Sequence, residues 1–294
     1  MKQEPFGGRC APVIQLVANP AAGQHCARTV EALAGALTRA GAQLVRSECG
    51  PRQTITIDER ACHICVVGGD GTARHAAMAV ARAERRVPIS LYPAGTVNLL
   101  HREAGGTLDP GLYAMQVVGG AGGRRQYAAA LGDSLFLACA SAGPDSAAVA
   151  ALSPALKRAI GRAAYGVSFL SVLIKWPRPA IRLRWEDRAL DCEAFYVAKG
   201  RYFAGPWSFA PDARLDDPRL HVVALHDASR LAYARFLWAM LRGKRVDRLR
   251  GVTAFTCTAL SIECADPVAV QADGDLAAVL PVEMKVIDDP FIFC

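Results

Sequence analysis

The chain has 294 residues, a hydrophobic share of 52% and ten cysteines without a regular spacing. Length and composition exclude a disordered or disulfide-framed protein, and they predict two domains with cores of their own and the reduced thiols of the cytoplasm. The formal net charge of +7 favours an anionic partner, such as a nucleotide or an anionic lipid surface. Nucleic acid is not expected, because the arginines are dispersed and no recognition motif accompanies them.

The first third of the chain alternates apolar, strand-like runs with helical segments. Strands are predicted from Val13 and from Ile89, and helices over Ala27–Ala40 and Ala73–Ala83. The loops that follow three apolar runs carry small or polar residues, and they are Asn19–Gly23, Gly68–Thr72 and Pro93–Asn98. Because a parallel sheet gathers the carboxyl ends of its strands at one edge, we expect these three loops to lie together there.

The loop Gly68-Gly69-Asp70-Gly71-Thr72 has the composition of a phosphate-binding turn. Its glycines let a phosphate approach the backbone, and the N-terminus of the following helix presents unpaired N–H groups. A carboxylate beside phosphates is repelled unless a divalent cation lies between them, so Asp70 indicates metal-assisted phosphoryl transfer. The P-loop is excluded because no Lys follows the glycines, and the dinucleotide fingerprint is excluded because Arg74 replaces its third glycine. An ordinary tight turn between strand and helix is the alternative.

Strand-like runs dominate the chain after about residue 125, where Gly119–Gly123 has the composition of a hinge. The predicted strands are Ile181–Trp185, Glu193–Ala198, Leu220–Leu225, Thr253–Glu263, Val268–Ala272 and Val282–Ile287. Two helical insertions are expected, near residues 154–174 and 229–242. The predicted fold class is α/β, with an N-terminal βα-layered nucleotide-binding domain (residues 1–125) followed by a mostly antiparallel β-sandwich domain (residues 126–294).

Six ordered segments resemble the diacylglycerol kinase catalytic family, which includes bacterial soluble lipid kinases, sphingosine kinases and ceramide kinases. The three N-terminal loops match its patterns Asn-Pro-x-Ser/Ala-Gly, Gly-Gly-Asp-Gly-Thr and Pro-x-Gly-Thr-x-Asn. In the second half, Phe136–Gly143 resembles the family's opening strand, Ala210–Asp217 its acidic turn, and Gln271–Asp275 its Gln-x-Asp-Gly-Glu segment. The resemblance implies the same two domains, with the second binding the lipid substrate and the active site in the cleft between them.

The same resemblance implies an ATP-dependent lipid kinase that transfers the γ-phosphate to a lipid hydroxyl, with ATP and Mg²⁺ as cofactors. Phosphoryl transfer needs a phosphate clamp, a cation and a carboxylate that accepts the hydroxyl proton. The residues expected to bind the nucleotide are Asn19, Gly23, Gly68, Gly69, Asp70, Gly71, Thr72, Gly95, Thr96 and Asn98. By analogy with the family, Asp273 is the expected general base, and Asp275 and Asp70 are the expected Mg²⁺ ligands. Asp70 is also an alternative base.

Asp273 and Asp275 flank one glycine, so both carboxylates are expected on the same side of a strand, where they could share a metal. Asp-Gly is also a strong hairpin signal, and that alternative stays open. Four positions depart from the family pattern: Leu99 replaces Asp, Arg74-His75 replaces Glu or Asn, Asp275 replaces Glu and Pro218 replaces Gly. These departures leave open a catalytically weak lipid- or nucleotide-binding protein. An NAD kinase-like enzyme is the other alternative, because NAD kinases share the Gly-Gly-Asp-Gly-Thr loop.

A separate acidic turn contains Asp212, Asp216 and Asp217. Carboxylates and backbone carbonyls are the oxygen ligands that a structural divalent cation takes. We therefore predict Asp216 and Asp217 as ligands of a second metal ion.

The predicted helix over Leu231–Leu241 is rich in aromatic residues and ends in a basic cluster. The cluster consists of Arg242, Lys244, Arg245, Arg248 and Arg250. No apolar run reaches the roughly 18–20 residues that span a bilayer, so a lipid kinase with this sequence would dock on the membrane surface. We expect peripheral association with anionic phospholipid at the inner face of the membrane. The alternative is a helix packed on a sheet with a solvated basic end.

Overall fold

The computed structural model describes residues 11–50, 54–120, 123–151 and 176–294. The N-terminal domain alternates strands with helices, as the sequence predicts. Its elements are β1 (Val13–Ala18), α1 (Ala27–Arg39), β2 (Gln43–Glu48), β3 (His63–Gly68), α2 (Asp70–Arg82), β4 (Ile89–Pro93), α3 (Leu99–Ala104), α4 (Pro110–Val118) and β5 (Arg124–Gln126). The predicted helix after the glycine loop therefore begins earlier than expected, at Asp70 inside the loop.

One six-stranded sheet forms the centre of this domain, in the order β2-β1-β3-β4-β18-β5, where β18 is the C-terminal strand Phe291–Phe293. The strands β1 to β4 are parallel, and β18 lies parallel to β4 and antiparallel to β5. The last strand of the chain thus belongs to the sheet of the N-terminal domain. The predicted boundary at residue 125 assigns this strand to the other domain. Short-range sequence patterns do not show that residues 291–293 pair with strands of the first sheet.

Burial explains why β3 occupies the middle of the sheet. All six of its residues, from His63 to Gly68, are buried, as expected for a parallel strand that is covered on both faces by helices. Helix α1 buries Leu33, Ala34 and Leu37 against this sheet and leaves its other face in solvent. The polar loops therefore project from the end of a rigid, fully packed layer.

The second domain consists mainly of antiparallel strands. Its elements are β6 (Ala129–Leu131), β7 (Ser134–Phe136), β8 (Cys139–Ala142), α5 (Pro144–Ala151), β9 (Ile181–Trp185), β10 (Arg188–Cys192), β11 (Ala194–Ala198), β12 (Leu220–Leu225), α6 (Arg230–Leu241), β13 (Val252–Cys257), β14 (Ala259–Cys264), β15 (Ala269–Ala272), β16 (Asp275–Val279) and β17 (Val282–Val286). One sheet has the order β10-β9-β14-β17-β6-β7 and the other β13-β12-β11-β8-β15-β16. A shared apolar core lies between them, so the predicted fold class is confirmed.

Two predicted strands are each divided in the structure. The run Thr253–Glu263 forms β13 in one sheet and β14 in the other, and Phe136–Gly143 is divided between β7 and β8 in the same way. Cys257 and Leu260 both lie in the core between the two sheets although they are three residues apart, whereas residues three apart in a single strand point to opposite faces. The prediction of a helix over 229–242 is confirmed by α6, whereas 154–174 lies outside the described residues.

The two domains pack against each other through apolar side chains. One core cluster contains Val66 and Ala73 of the first domain together with Leu137, Tyr196 and Phe236 of the second. In the part of the chain that is described, no helix is both long enough and apolar enough to cross a membrane.

Candidate functional site

The three N-terminal loops meet at the carboxyl ends of β1, β3 and β4. The Asn19 side chain donates a 2.9 Å hydrogen bond to Thr72 Oγ1, and the Gln24 amide donates one of 2.9 Å to the Ala94 carbonyl. A Cβ atom on Gly95 would lie only 2.5 Å from the Cα atom of Gly69, so these two loops touch through bare backbone. The expectation that the loops share one edge of the sheet agrees with this geometry.

Asn98 has a bracing role in its loop. It has a positive φ of 53°, and its side chain both accepts from the Gly95 N–H and donates to the Gly95 carbonyl, each at 2.9 Å. Both polar atoms of its amide are thus engaged within the loop. The side chain of Asn19 is engaged in the same way, because its oxygen accepts from the Ala21 amide. Of the residues predicted to bind a nucleotide, these two organise the loops whose backbone would do so.

Asp70 is buried, and its carboxylate lies at the N-terminus of α3. Its two oxygens accept the amides of Leu99 and Leu100 at 2.8 and 2.9 Å. An acidic side chain from α2 thus caps α3, in the place where the side chain of the N-cap residue usually does so. Burial raises the pKa of Asp70 to about 6, although the two N–H groups act in the opposite direction and the nearby Asp273 adds to the rise. The sequence did not predict this capping role.

Asp273 and Gly274 form the two-residue turn of a hairpin between β15 and β16. Both have positive φ, 50° and 88°, as such turns require. The expectation that Asp273 and Asp275 project from one side of a strand is therefore wrong, and the hairpin alternative is right. The reason is that Asp275 pairs with Ala272 as the first residue of the returning strand.

The Asp273 carboxylate points into the domain although it lies on a turn. It accepts the amide of Leu137 at 2.8 Å on one oxygen, and those of Ala138 and Cys139 at 2.8 and 3.1 Å on the other. Burial raises its pKa, while the charge of Arg74 and the three N–H groups oppose the rise. A carboxylate that binds three backbone donors is held in one orientation.

Asp275 and Arg74 connect the two domains. Arg74, on α2, donates 3.1 Å from Nη1 to the Ala272 carbonyl and lies 3.3 Å from Asp275 Oδ2 through Nη2. The same Asp275 oxygen lies over the backbone of Gly71, where an added Cβ atom would meet it at 2.5 Å. The sequence analysis used Arg74 to exclude the dinucleotide fingerprint and noted it as a departure from the family pattern, but assigned it no role in the site. An arginine on the buried side of a helix that is otherwise rich in alanine was the signal in the sequence that could have identified Arg74.

A buried polar network that the sequence analysis did not identify supports the Asp273 turn from below. Asp145 accepts from Ser141 at 2.5 Å and from Tyr196 at 2.9 Å. Gln271 donates to Ser141 at 2.8 Å and accepts from the Gly274 amide at 3.0 Å. The network therefore extends from α5 to the turn that carries Asp273. Asp145 lies in the first turn of α5, three residues after the end of β8, and this position close to a strand end was the only hint in the sequence.

The acidic turn at Asp216 and Asp217 does not resemble a cation site. Asp216 forms two hydrogen bonds with Arg214, and Asp217 is paired with Arg219. The fully buried Lys199 donates to the carbonyls of Asp217 and Arg219, and burial lowers its pKa to about 8. The positive charge at this turn thus comes from the chain itself. Among the described residues, no group of three or more His, Cys, Asp or Glu side chains could hold a metal ion, so the predicted ligands gain no support here.

Comparison with known families agrees with this geometry. Residues 14–126 match the family model described as "Diacylglycerol kinase catalytic domain", and residues 138–290 match "YegS C-terminal NAD kinase beta sandwich-like domain". A Pseudomonas putida protein named "Probable lipid kinase YegS-like" is 31% identical over 60% of this chain and 61% of its own length. A Staphylococcus carnosus protein named "Diacylglycerol kinase" is 23% identical over 74% of this chain and 71% of its own length. The chain spans less than two thirds of the length of the curated Pseudomonas relatives.

Two solved structures share the fold. A diacylglycerol kinase from Bacillus anthracis superposes with a TM-score of 0.73, at 19% identity, over 95% of this chain and 96% of that chain. An NAD kinase from Archaeoglobus fulgidus, solved in complex with ATP, superposes with a TM-score of 0.56, at 16% identity, over 95% and 92% of the two chains. The likeness extends over both domains.

Proposed function

The chain belongs to the family of the diacylglycerol kinase catalytic domain, and on this premise we propose that it transfers the γ-phosphate of ATP to the hydroxyl group of a membrane lipid. The observation that carries the proposal is the meeting of Asp273 and Asp275 with the glycine loop across the domain boundary. Asp275 lies over Gly71 at the start of α2, and the charges of Asp70 and Asp273 act on each other. Carboxylates from both domains thus converge on one phosphate-binding helix end.

The N-terminal side of the site supports nucleotide binding. Helix α2 begins at Asp70, directly after the backbone contact between Gly69 and Gly95, and the carboxylate of Asp275 lies over its first turn at Gly71. Unpaired N–H groups and the helix dipole favour the negative charge of a triphosphate. Gly23, Gly68 and Thr96 flank the same loops and stay in the proposed binding set.

The two candidates for the general base are Asp273 and Asp70. The hydrogen bonds that each carboxylate accepts distinguish between them. Asp273 Oδ2 accepts a single N–H and keeps a second lone pair for the proton of the attacking hydroxyl. Asp70 has comparable capacity, but its two oxygens cap α3. We assign the base to Asp273. In the reaction, the lipid oxygen bonds to the γ-phosphorus, the carboxylate accepts its proton, and the bond to ADP breaks.

The donor set fits a Mg²⁺ ion carried by the nucleotide better than an ion held by the protein alone. Mg²⁺ in such sites is bound by one or two carboxylates together with substrate phosphates. Asp275 is the candidate, because its side chain is 46% exposed and only Oδ2 is paired with Arg74. Asp70 is a second candidate, because each of its oxygens accepts one N–H and retains a lone pair while it caps α3. The ion would neutralise charge on the transferred phosphate.

The lipid must be reached at a membrane surface, and α6 offers a surface of suitable chemistry. Leu231, Trp238 and Leu241 are exposed on it, while Tyr233 and Phe236 are buried against the domain core. Exposed basic residues lie beside this apolar stripe, and they are Arg235, Arg242, Lys244, Arg248 and Arg250. Arg245 contributes less than the sequence suggests, because it is paired with Asp212 and Asp247. We propose that this face rests on anionic phospholipid at the inner face of the membrane.

The experiment that tests the function offers the purified protein Mg²⁺, ATP and one acceptor at a time. The acceptors are diacylglycerol, ceramide and a sphingoid base in mixed micelles, and NAD in buffer. A phosphorylated lipid identified by mass supports the proposal and names the acceptor. Phosphorylated NAD would assign the chain the activity of its more distant structural neighbour. ATP binding without any product would indicate a binding protein that has retained the scaffold.

Membrane docking is tested separately with vesicles. We expect sedimentation with anionic vesicles that weakens with salt, because each basic residue near an anionic surface adds about 1 kcal/mol of attraction within a Debye length. Replacing Leu231 and Trp238 by Gln, or Arg248 and Arg250 by Glu, should reduce both sedimentation and lipid phosphorylation and leave ATP binding intact. Unchanged sedimentation of both variants would place the docking surface elsewhere.

A further inference from the structure

Arg74 brackets the catalytic turn from the other domain. Its Nη1 donates to the carbonyl of Ala272, immediately before the turn, and its Nη2 pairs with Asp275, immediately after it. The two contacts join residues that are 198 and 201 positions apart in the sequence. One guanidinium group therefore fixes both ends of the Asp273–Gly274 turn relative to α2.

The charges around this guanidinium are mostly acidic. Asp70 lies on the same helix, Asp273 and Asp275 lie on the hairpin, and all three face the junction between the domains. His75 is the neighbouring residue on α2, and Asp145 lies deeper, with its charge acting on the Cys139 thiol behind Asp273. Arg74 thus provides fixed positive charge to a cluster of carboxylates. Like-charge repulsion would otherwise push the hairpin away from α2.

Fold stability alone does not explain where Arg74 lies. Its side chain is only 6% exposed, and its Nε donor is buried without a hydrogen-bond partner among the described residues. A buried donor without a partner costs free energy, and the long Arg side chain loses rotamer freedom when it is ordered. A hydrophobic residue at this position of α2 would avoid both costs. The contacts that the arginine does make are all directed at the catalytic hairpin.

We propose that Arg74 is a positioning residue for phosphoryl transfer, which holds the Asp273 turn and Asp275 in register with the phosphate-binding end of α2. This inference rests on the proposed function. It gives a reason for the departure from the family pattern at this position. The arginine places a positive charge at the reacting centre, where it contacts the hairpin of the other domain. Asp273 then meets the lipid hydroxyl, and Asp275 meets the nucleotide-borne cation, from a fixed direction.

The first test measures the turn itself and needs no substrate. In Arg74→Gln, amide hydrogen exchange at residues 272–276 should become about tenfold faster, because both ends of the turn lose their tie to α2. The matched control is Arg82→Gln, which changes an exposed arginine in the last turn of the same helix and should leave the exchange unchanged. Exchange in Arg74→Gln equal to that of the wild type would overturn the proposal.

The second test uses chemical rescue. Arg74→Ala should lower kcat about 10²-fold with little change in the affinity for ATP, because misplacement of catalytic groups costs rate rather than nucleotide binding. Millimolar guanidinium should restore part of kcat saturably by occupying the space left behind, and Arg74→Lys should be more active than Arg74→Ala. Urea at the same concentration is the control, since it has a similar shape and no charge.

The outcomes separate the two levels of inference. If the wild type phosphorylates no lipid, the proposed function fails, and the exchange measurement alone decides the role of Arg74. If the wild type is active and Arg74→Ala is equally active, the positioning role is wrong. If guanidinium and urea restore the kcat of Arg74→Ala to the same extent, the side chain acts only by filling space, and the proposal is overturned as well.

Discussion

Two acidic turns of the C-terminal domain, at residues 273–275 and 212–217, differ in where their balancing charge comes from. Asp216 and Asp217 are paired with Arg214 and Arg219, each two residues away, and Lys199 lies beneath the backbone. The carboxylates at 273–275 face backbone amides and an arginine of the other domain instead. Both turns were predicted from sequence as cation sites, but the groups that surround their carboxylates in the structure are different.

The difference separates a carboxylate placed for the proposed proton transfer from one that is paired within its own turn. A carboxylate that forms ion pairs with its own neighbours in the chain gains little free energy from binding a cation, because its charge is already neutralised. Asp273 is instead buried at a domain junction and held by the amides of Leu137, Ala138 and Cys139, which fix its direction and leave a lone pair free. Its proposed role depends on the contacts that Arg74 of the other domain makes with the same turn. Variants of the two turns test this distinction.

The largest effect is expected for Asp273→Asn. If Asp273 accepts the hydroxyl proton, kcat should fall by ~10²–10⁴-fold, while the KM for ATP changes much less. The measurement is steady-state kinetics with the lipid acceptor that the product assay identifies, together with circular dichroism to show that the variant is folded.

Asp133→Asn is the matched control for this variant. Asp133 lies in another two-residue hairpin turn, between β6 and β7, and it is exposed. Its substitution should leave kcat unchanged. A loss in Asp273→Asn that is confined to the affinity for ATP would instead make Asp273 a binding residue.

Asp70→Asn should reduce turnover and also stability. Asparagine has one oxygen in place of two, so either Leu99 or Leu100 loses its acceptor, at a cost of about 1–2 kcal/mol at pH 5. The control is Asp109→Ala, which removes the side-chain cap of α4 and should lower stability without affecting turnover. Stability equal to that of the wild type would remove the capping role from Asp70.

The pH dependence of this difference follows from the raised pKa of Asp70, about 6. Between the ordinary value of 3.8 and about 6, the folded state binds the proton more tightly than the unfolded state does. The stabilisation is therefore fully present below the lower value and is lost as the pH rises through the upper one. Urea unfolding at pH 5 and pH 7 should show the wild type losing stability relative to Asp70→Asn. An increase in the difference with pH would contradict the assigned direction.

Lys199→Met should destabilise the acidic turn by about 1–3 kcal/mol, because the carbonyls of Asp217 and Arg219 lose their buried donor. For a domain of this size, such a change lowers the melting temperature by several degrees. Lys244→Met is the control, since Lys244 is exposed after α6. A melting temperature equal to that of the wild type would show that Lys199 does not support the turn.

Much of the fold could be predicted because its signals are local. The strands Ile181–Trp185 and Leu220–Leu225 have the predicted bounds, and α1 begins at Ala27 as expected. Because each polar loop follows a strand of a parallel sheet, the sequence was enough to predict that the three loops lie at one edge. By contrast, the return of β18 to the first sheet and the division of Thr253–Glu263 depend on long-range packing.

The site was only partly accessible from sequence for the same reason. The motif identified Asp70 and Asp273 by type, but the amides that their carboxylates accept lie 29 to 136 positions away. Arg74 and Lys199 contact partners that no spacing in the sequence indicates. The positions of the charged groups in the folded chain, rather than residue type, decide which acidic turn has a carboxylate that is available to a ligand.

The smallest effect is expected when the second turn is challenged directly. Removal of divalent ions with EDTA should abolish the proposed lipid phosphorylation, for which we propose a Mg²⁺ ion carried by the nucleotide. It should leave the melting temperature of the protein unchanged, because Lys199 and the arginines already supply positive charge at Asp216 and Asp217. Asp216→Asn should likewise change the free energy of unfolding by less than about 1 kcal/mol, since its pair with Arg214 is largely exposed. A fall of several degrees on chelation that is absent in Asp216→Asn would place a structural cation at this turn, as the sequence suggested, and would remove the distinction between the two turns.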